Sequence, residues 1–278
     1  MCRLYGFSAT HPTRLECSLV EAQNALQVQS DRDGRGRRNA DGWGIARWPS
    51  HEAEVVRSTQ SAFADAGFAE TAATTRSHMT LAHVRAATVG DVKPDNVHPF
   101  RNGPWAFAHN GTLTDHAALA PEMLNGAYRE PAGTTDSELI FQWLLGRMPG
   151  YGLNPEQPAG DVNQLAELLK QGVLDLVRAS LAHSESPPAR LNFLLSDGVN
   201  LVASRWGNSL YWTERHGVRD CSVCGTDHCP EGGGSYRAIV IASEPITSER
   251  WTEVEEGSVL AVDGKAKLTV SDLFPMAA

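Results

Sequence analysis

A cysteine directly after the initiator methionine can place two reactive groups on one residue. In the opening segment MCRLYGFSAT, removal of Met1, which a small second residue permits, would leave Cys2 with a thiol of ordinary pKa about 8.5 beside an α-amine of about 7.7 to 8.0. The amine can then act as the base at neutral pH, and nucleophilic attack needs no histidine partner. An isolated cysteine is also a common inert core residue, so Cys2 alone leaves both readings open. Two later stretches, MTLAHVRAAT (79–88) and PWAFAHNGTL (104–113), read as strands that end in polar residues, as strands bordering a site do. A separate loop, RDCSVCGTDHCPEGGGS, offers four zinc-capable side chains in Cys221, Cys224, His228 and Cys229. His228 and Cys229 are adjacent, an awkward arrangement on one tetrahedral ion, and no second Cys-x2-Cys pair follows. Zinc, free thiols and a disulfide all stay open for that loop.

The elements that must position these residues can be read from periodicity and caps. Cys2, Leu4 and Gly6 alternate with Arg3, Tyr5 and Phe7, which predicts a strand. Ser18-Leu-Val-Glu21 has the spacing of a capping box and predicts a helix to about Gln29. A Gly-rich polar loop, SDRDGRGRRNADG, comes next, and GWGIARW and AEVVRS then read as paired strands. A helix is expected within 62–73. Thr135-x-x-Glu138 is a second capping box, opening a helix through about Arg147, and a long amphipathic helix is expected over 162–182. The last third reads mostly as strand, with hairpin turns at Asp197-Gly198 and Gly207-Asn208. Strand runs flank two central helices without the βα alternation of a doubly wound sheet, so the fold class is α+β, with one domain over 1–278.

Composition narrows the partners. A net charge of −9 with scattered Lys and Arg disfavours nucleic acid and anionic membranes, because phosphate binding needs a basic face. No apolar run reaches the length of a membrane span, and the N-terminus lacks the basic and apolar regions of a signal peptide. Five cysteines, three of them crowded in one loop, do not form a secreted disulfide framework. A cytoplasmic protein acting on a small molecule is the expectation.

Six segments occur in order: Cys2-Arg-Leu-Tyr-Gly-Phe7, Asp41-Gly-Trp-Gly44, His83-Val-Arg-Ala-Ala-Thr-Val-Gly90, Asn96-Val-His-Pro-Phe100, His109-Asn-Gly111 and Thr134-Thr-Asp-Ser-Glu138. Together with ASEPI and the Trp251 segment near the end, they make the chain resemble the class II glutamine amidotransferases, which are N-terminal-nucleophile hydrolases. The resemblance implies an αββα sandwich of two antiparallel sheets between helical layers. It also implies that Cys2 is the nucleophile, forming a γ-glutamyl thioester, and that Asn110 and the Gly111 N–H stabilise the oxyanion. Arg85 would bind the substrate α-carboxylate and Asp136 its α-ammonium, with Thr88 and His109 completing the substrate side. Glycine at 111 would let the backbone approach the substrate. Asp41 and Trp43 are candidates for the pocket floor, Trp43 equally for the core. The resemblance implies no cofactor and no catalytic metal.

One departure from the family pattern is informative. Synthase-linked members carry a segment of the Arg-Trp-Ala-Thr-His-Gly type, where this chain has Ala86 and Val89 in place of the Trp and His. The segment resembles the free-standing branch, which includes γ-glutamyl hydrolases of ergothioneine biosynthesis, whose released amine is larger than ammonia. The expected function is therefore hydrolysis of a γ-glutamyl amide to glutamate and an amine. The alternatives are a glutaminase subunit supplying ammonia to a separate synthase partner, a silent binder of glutamine-like ligands, and a zinc-dependent interaction module. A homo-oligomer is compatible with each. Specificity beyond the glutamyl head is expected from the loops 30–40 and 219–235.

Overall fold

The computed structural model describes residues 2–182, 188–217 and 235–273. The loop with Cys221, Cys224, His228 and Cys229 lies outside the described residues. The chain forms β1 (Arg3–Arg14), a π-helical turn (Cys17–Glu21), α1 (Leu26–Asp31), β2 (Trp43–Arg47), β3 (Glu54–Ser58), α2 (Ala66–Thr74), β4 (Arg76–Val84), β5 (Phe100–Asn102) and β6 (Trp105–Thr112). It continues through α3 (His116–Asn125), α4 (Asp136–Arg147), α5 (Val162–Ala182), β7 (Arg190–Ser196), β8 (Leu201–Arg205), β9 (Tyr211–His216), β10 (Arg237–Ala242), β11 (Thr252–Glu253), β12 (Ser258–Val262) and β13 (Leu268–Asp272).

One sheet has the order β11-β9-β10-β1-β4-β2-β3 and the other β13-β12-β8-β7-β6-β5, and neighbouring strands pair antiparallel. Three cores separate the layers. Leu4, Leu194, Leu201 and Ile239 meet between the sheets. On the outer side of the first sheet, Tyr5 and Phe7 pack with Leu19, Leu26 and Phe68 of the first helical layer. On the outer side of the second, Phe107, Phe193 and Val202 pack against Leu144, Leu165 and Leu169 of α4 and α5. This is the expected αββα sandwich. β1 lies in the middle of its sheet, so the alternation in the first strand divides two cores from each other instead of core from solvent.

Most predicted elements form, with instructive exceptions. The helix expected from Ser18 to Gln29 is broken: Ser18 sits inside the π-helical turn, Ala22 is extended, and helix resumes only at Leu26. The break is held from far along the chain, where the Asn24 N–H donates to the Ile246 carbonyl at 3.1 Å and its side-chain amide to the Pro245 carbonyl at 2.8 Å. Two tertiary hydrogen bonds thus outweigh a local helix preference, which is small per residue. α3 was not expected from the sequence. Its N-terminus carries no side-chain cap and it contains Pro121, so the usual start and continuation signals are missing. α5 matches the expectation, burying Leu165, Leu169, Val173, Leu176 and Val177 along one face. The Asp197-Gly198 hairpin also forms, with Gly198 at φ 86°, a conformation that favours glycine, whereas Gly207-Asn208 is no hairpin because β8 and β9 belong to different sheets.

Candidate active site

The site is assembled where β1 begins, where β4 and β6 end, and where α4 starts. Cys2 is 9% exposed, immediately ahead of β1. Its Sγ accepts the Ala86 N–H at 3.3 Å and lies 3.4 Å from the Ala86 carbonyl, to which the thiol donates. Burial pushes the Cys2 thiol up from its ordinary range, opposed by the Ala86 N–H and the positive charges of Arg85 and Arg3. The thiol is therefore protonated at neutral pH, and a nearby base is needed to make it a nucleophile.

β4 delivers Arg85 to the same place. The Arg85 backbone is locked to the loop before β2, since its N–H donates to the Gly42 carbonyl and its carbonyl accepts the Asp41 N–H. The Asp41 carboxylate in turn accepts the Ala87 N–H at 2.8 Å and holds the segment after β4 in place. Asp41 is thus a support for the loop beside Cys2. Trp43 belongs to the core, 2% exposed, edge-on to Phe68 and donating to the Asp65 carboxylate. The Arg85 guanidinium is buried and donates to the carbonyls of Val89, Gly90 and Asp91 at 2.9, 3.1 and 3.2 Å. Those three bonds use three of the five guanidinium N–H groups, so its fork is partly committed to shaping its own loop. Burial lowers the Arg85 pKa, against the fields of Cys2, Asp41 and Asp136, which meet at this side chain.

β6 carries His109, Asn110 and Gly111. Asn110 is 1% exposed. Its amide nitrogen donates to Ser243 Oγ at 3.3 Å, and its backbone carbonyl accepts the Asn208 side-chain amide at 2.9 Å. A β-carbon on Gly111 would stand 1.8 Å from the Arg190 carbonyl oxygen of β7. A close approach that requires glycine here is therefore the one between neighbouring strands. Thr88 and Thr112 face each other with hydroxyls 3.2 Å apart, joining the loop after β4 to the end of β6.

His109 and Asp136 meet through a serine. The Arg190 carbonyl lies 2.8 Å from His109 Nε2 and can only accept, which places a proton on that nitrogen. His109 Nδ1 lies 2.9 Å from Ser137 Oγ, itself 3.1 Å from Asp136 Oδ1, so one hydroxyl proton has two acceptors. Burial pushes the His109 pKa down, opposed by the charge of Asp136 and the Arg190 carbonyl. Asp136 opens α4 and accepts the Leu113 N–H at 2.7 Å, which ties the helix start to the end of β6. The capping box beside it is half formed. Thr135 Oγ1 accepts the Glu138 N–H at 3.2 Å, but the Glu138 carboxylate caps Ala132 and Gly133 instead of Thr135.

The structure thus gathers Cys2, Arg85, Thr88, Asn110, Gly111 and Asp136 around the ends of three strands, with His109 behind Asp136. Arg3, Ser137, Asn208 and Ser243 also contact these residues, Glu244 contacts Arg3, and the sequence assigns none of them a site role. A basic residue next to Cys2 was the available signal for Arg3. Among the described residues no cluster of His, Cys, Asp or Glu is arranged to hold a metal ion, and no helix is long and apolar enough to cross a membrane.

The chain is similar to known proteins over nearly its whole length. A family model described as class II glutamine amidotransferases matches residues 1–275. DUG3 of Saccharomyces cerevisiae, named a probable glutamine amidotransferase, is 30% identical over 94% of this chain and 82% of its own. A γ-glutamyl-hercynylcysteine sulfoxide hydrolase of Mycolicibacterium smegmatis is 31% identical over 94% of this chain and 96% of its own. In fold, a glutamine aminotransferase class-II domain protein from Silicibacter pomeroyi is similar with a TM-score of 0.64 at 22% identity, covering 98% of this chain and all of that one. The glutamine phosphoribosylpyrophosphate amidotransferase of B. subtilis is similar with a TM-score of 0.58 at 16% identity, this chain matching 49% of that longer one. The sequence match runs from the opening cysteine segment to the closing strands, and the chain belongs to the class II glutamine amidotransferases.

Proposed function

We propose that this protein hydrolyses the γ-amide of a γ-glutamyl compound through a thioester on Cys2, acting on a small molecule in the cytoplasm without a cofactor. The observation that supports this reading is the set of contacts tying these residues to neighbouring strand ends: Cys2 Sγ is held by Ala86, the residue after Arg85, and Asp136 accepts the N–H of Leu113, just past Asn110 and Gly111. In this reading Cys2 is the nucleophile, Arg85 the cation for the α-carboxylate and Asp136 the carboxylate for the α-ammonium of a glutamyl head group.

In the proposed reaction Cys2 is the first residue after loss of Met1. Its α-amine takes the thiol proton as Sγ bonds to the γ-carbon and the carbonyl electron pair moves onto oxygen. The Asn110 amide and the Gly111 N–H stabilise that oxyanion. The intermediate collapses by breaking the C–N bond, and the leaving amine takes the proton held by the α-amine. Water then adds to the thioester, giving its proton to the α-amine. The C–S bond breaks, the thiol regains a proton, and glutamate leaves. Arg85 reads the α-carboxylate with the N–H groups not engaged by its loop. Asp136 reads the α-ammonium, while His109 and Ser137 hold its carboxylate and Thr88 borders the site.

Ala86 and Val89, standing where synthase-linked members carry Trp and His, support a free-standing hydrolase that releases an amine larger than ammonia. The hydrolase name of the mycobacterial relative agrees with that reading. The test is intact mass before and after 6-diazo-5-oxo-norleucine, followed by a screen of γ-glutamyl amides with wild type and Cys2→Ala. Loss of Met1, a single adduct on Cys2 and turnover abolished by Cys2→Ala are expected. A Cys2→Ala variant as active as wild type refutes the mechanism. Turnover of glutamine alone, increased by a separate synthase, would favour the ammonia-supplying alternative.

A further inference from the structure

Ser243 and Glu244 follow β10, far in sequence from both Cys2 and Asn110, and the proposed reaction assigns neither a role. Ser243 is fully enclosed, 1% exposed. Its hydroxyl accepts two N–H groups at once, that of Leu4 at 2.9 Å and that of the Asn110 side chain at 3.3 Å. The Ser243 backbone is held as well, its N–H donating to the Leu4 carbonyl and its carbonyl accepting the Ser209 hydroxyl. One hydroxyl thus joins the oxyanion donor to the second residue after the nucleophile.

The next side chain, Glu244, reaches the nucleophile's backbone through Arg3. Arg3, 2% exposed, donates from Nη1 to the Cys2 carbonyl at 2.9 Å. Its Nη2 lies 2.7 Å from both the Glu244 and Asp33 carboxylates, and its Nε donates to Glu244 at 2.9 Å. Glu244 also accepts the Gly34 N–H with both oxygens at 3.1 Å, so the Gly-rich loop is drawn to the same point. Burial pushes the Asp33 carboxyl up, but the N–H groups of Arg37 and Arg35 and the charge of Arg3 hold it below its ordinary value, and it stays ionised beside Arg3.

From these contacts we infer that the Ser243-Glu244 pair is a positioning device: Ser243 orients the Asn110 amide while Glu244, through Arg3, fixes the Cys2 backbone. The inference rests on the proposed roles of Cys2 and Asn110. An Asn side chain has two amide hydrogens. With one spent on Ser243, the other is left with a defined direction, as a preorganised oxyanion donor requires. A buried cation paired to two carboxylates is costly to disturb, so the Cys2 carbonyl has little freedom to drift. Misplacement by about 1 Å at a reacting group can cost on the order of a hundredfold in rate. Because the two residues are consecutive, a shift of this turn would move the nucleophile and the oxyanion donor together.

The experiment measures kcat and KM for the best γ-glutamyl amide and the rate of Cys2 alkylation by 6-diazo-5-oxo-norleucine. It compares wild type, Ser243→Ala, Ser243→Thr, Glu244→Gln, Asn110→Ala and the Ser243→Ala/Asn110→Ala double variant, with thermal melting of each. Ser243→Ala is expected to lower kcat about tenfold with KM within about threefold, and its effect should shrink below about twofold when Asn110 is already Ala, because the serine acts through that amide. Ser243→Thr, which keeps the hydroxyl, should recover most of the rate. Glu244→Gln should slow Cys2 alkylation about tenfold. An active wild type in which Ser243→Ala and Glu244→Gln keep full kcat, or in which Ser243→Ala costs as much without Asn110 as with it, overturns the positioning role alone. A wild type that neither hydrolyses a γ-glutamyl amide nor takes the label on Cys2 overturns the proposed function, and the positioning role with it.

Discussion

Gly111→Ala separates two reasons for a glycine beside the site. If glycine served only to admit substrate, alanine would impair turnover and leave stability near wild type. The geometry requires the opposite order of effects. The new β-carbon would stand 1.8 Å from the Arg190 oxygen, 2.5 Å from the Arg190 carbonyl carbon and 2.5 Å from His109 Nε2, where ordinary contact begins at 3.4 Å. Two of those three atoms are backbone, so no rotamer relieves them, and β6 must part from β7 at the Gly111–Leu191 pair. Parting them endangers the 2.8 Å bond between His109 Nε2 and the Arg190 carbonyl and at least one ladder bond, each worth about 1 kcal/mol. Overpacking strain adds roughly 1 to 3 kcal/mol, for a total of about 3 to 5 kcal/mol. The assay is urea unfolding followed by fluorescence, with thermal melting in parallel, where a loss of this size lowers Tm by roughly 10 °C. A loss of under about 1 kcal/mol together with a large fall in kcat would refute the strand-packing account.

Three further outcomes are expected. His83 and His98 lie against each other with ring centroids 4.3 Å apart and planes tilted by 40°. Burial pushes His83 down to about 3 and His98 well below its ordinary value, so between that range and 6.5 the unfolded chain binds more protons than the folded one. Stability is then complete above about pH 6.5 and falls by about 1.4 kcal/mol per pH unit per histidine below it; equal unfolding free energies at pH 6.5 and pH 5 would contradict this. Asn110→Ala should slow the single-turnover chemical step by about a hundredfold, and an unchanged single-turnover rate would remove the residue from the oxyanion site. Asp136→Asn should lower kcat/KM for free-amine γ-glutamyl substrates at least about tenfold relative to their N-acetyl counterparts, and an unchanged ratio would cancel its role at the α-ammonium.

The family was legible because Cys2, Arg85, Asn110 and Asp136, the candidate site residues, each belong to a short run whose order along the chain is diagnostic. α5 was legible because its apolar residues recur at helical spacing over 21 residues, a signal that neighbours cannot easily overturn. The Thr135 cap worked for the same local reason, since a hydroxyl and an N–H three residues apart need no distant partner. Where a local signal competed with distant contacts it failed. Ser18 to Glu21 has the letters of a capping box, yet the bonds from Asn24 to the 245–246 segment break the helix. Glu138 likewise turns to the N–H groups of Ala132 and Gly133 in place of its predicted partner.

By itself the sequence determined the reactive residue types, their order and the periodic elements that carry them, because those depend on side-chain chemistry and on contacts a few residues apart. Only the tertiary structure decided that Arg3 is a buried cation between Asp33 and Glu244, that Gly111 is required by β7, and that Ser243 bridges Leu4 and Asn110. Each of these joins groups from 30 to 241 residues apart. A charged or polar side chain can be buried only where such partners satisfy it, and the layers of the sandwich, not the neighbouring letters, bring those partners within reach.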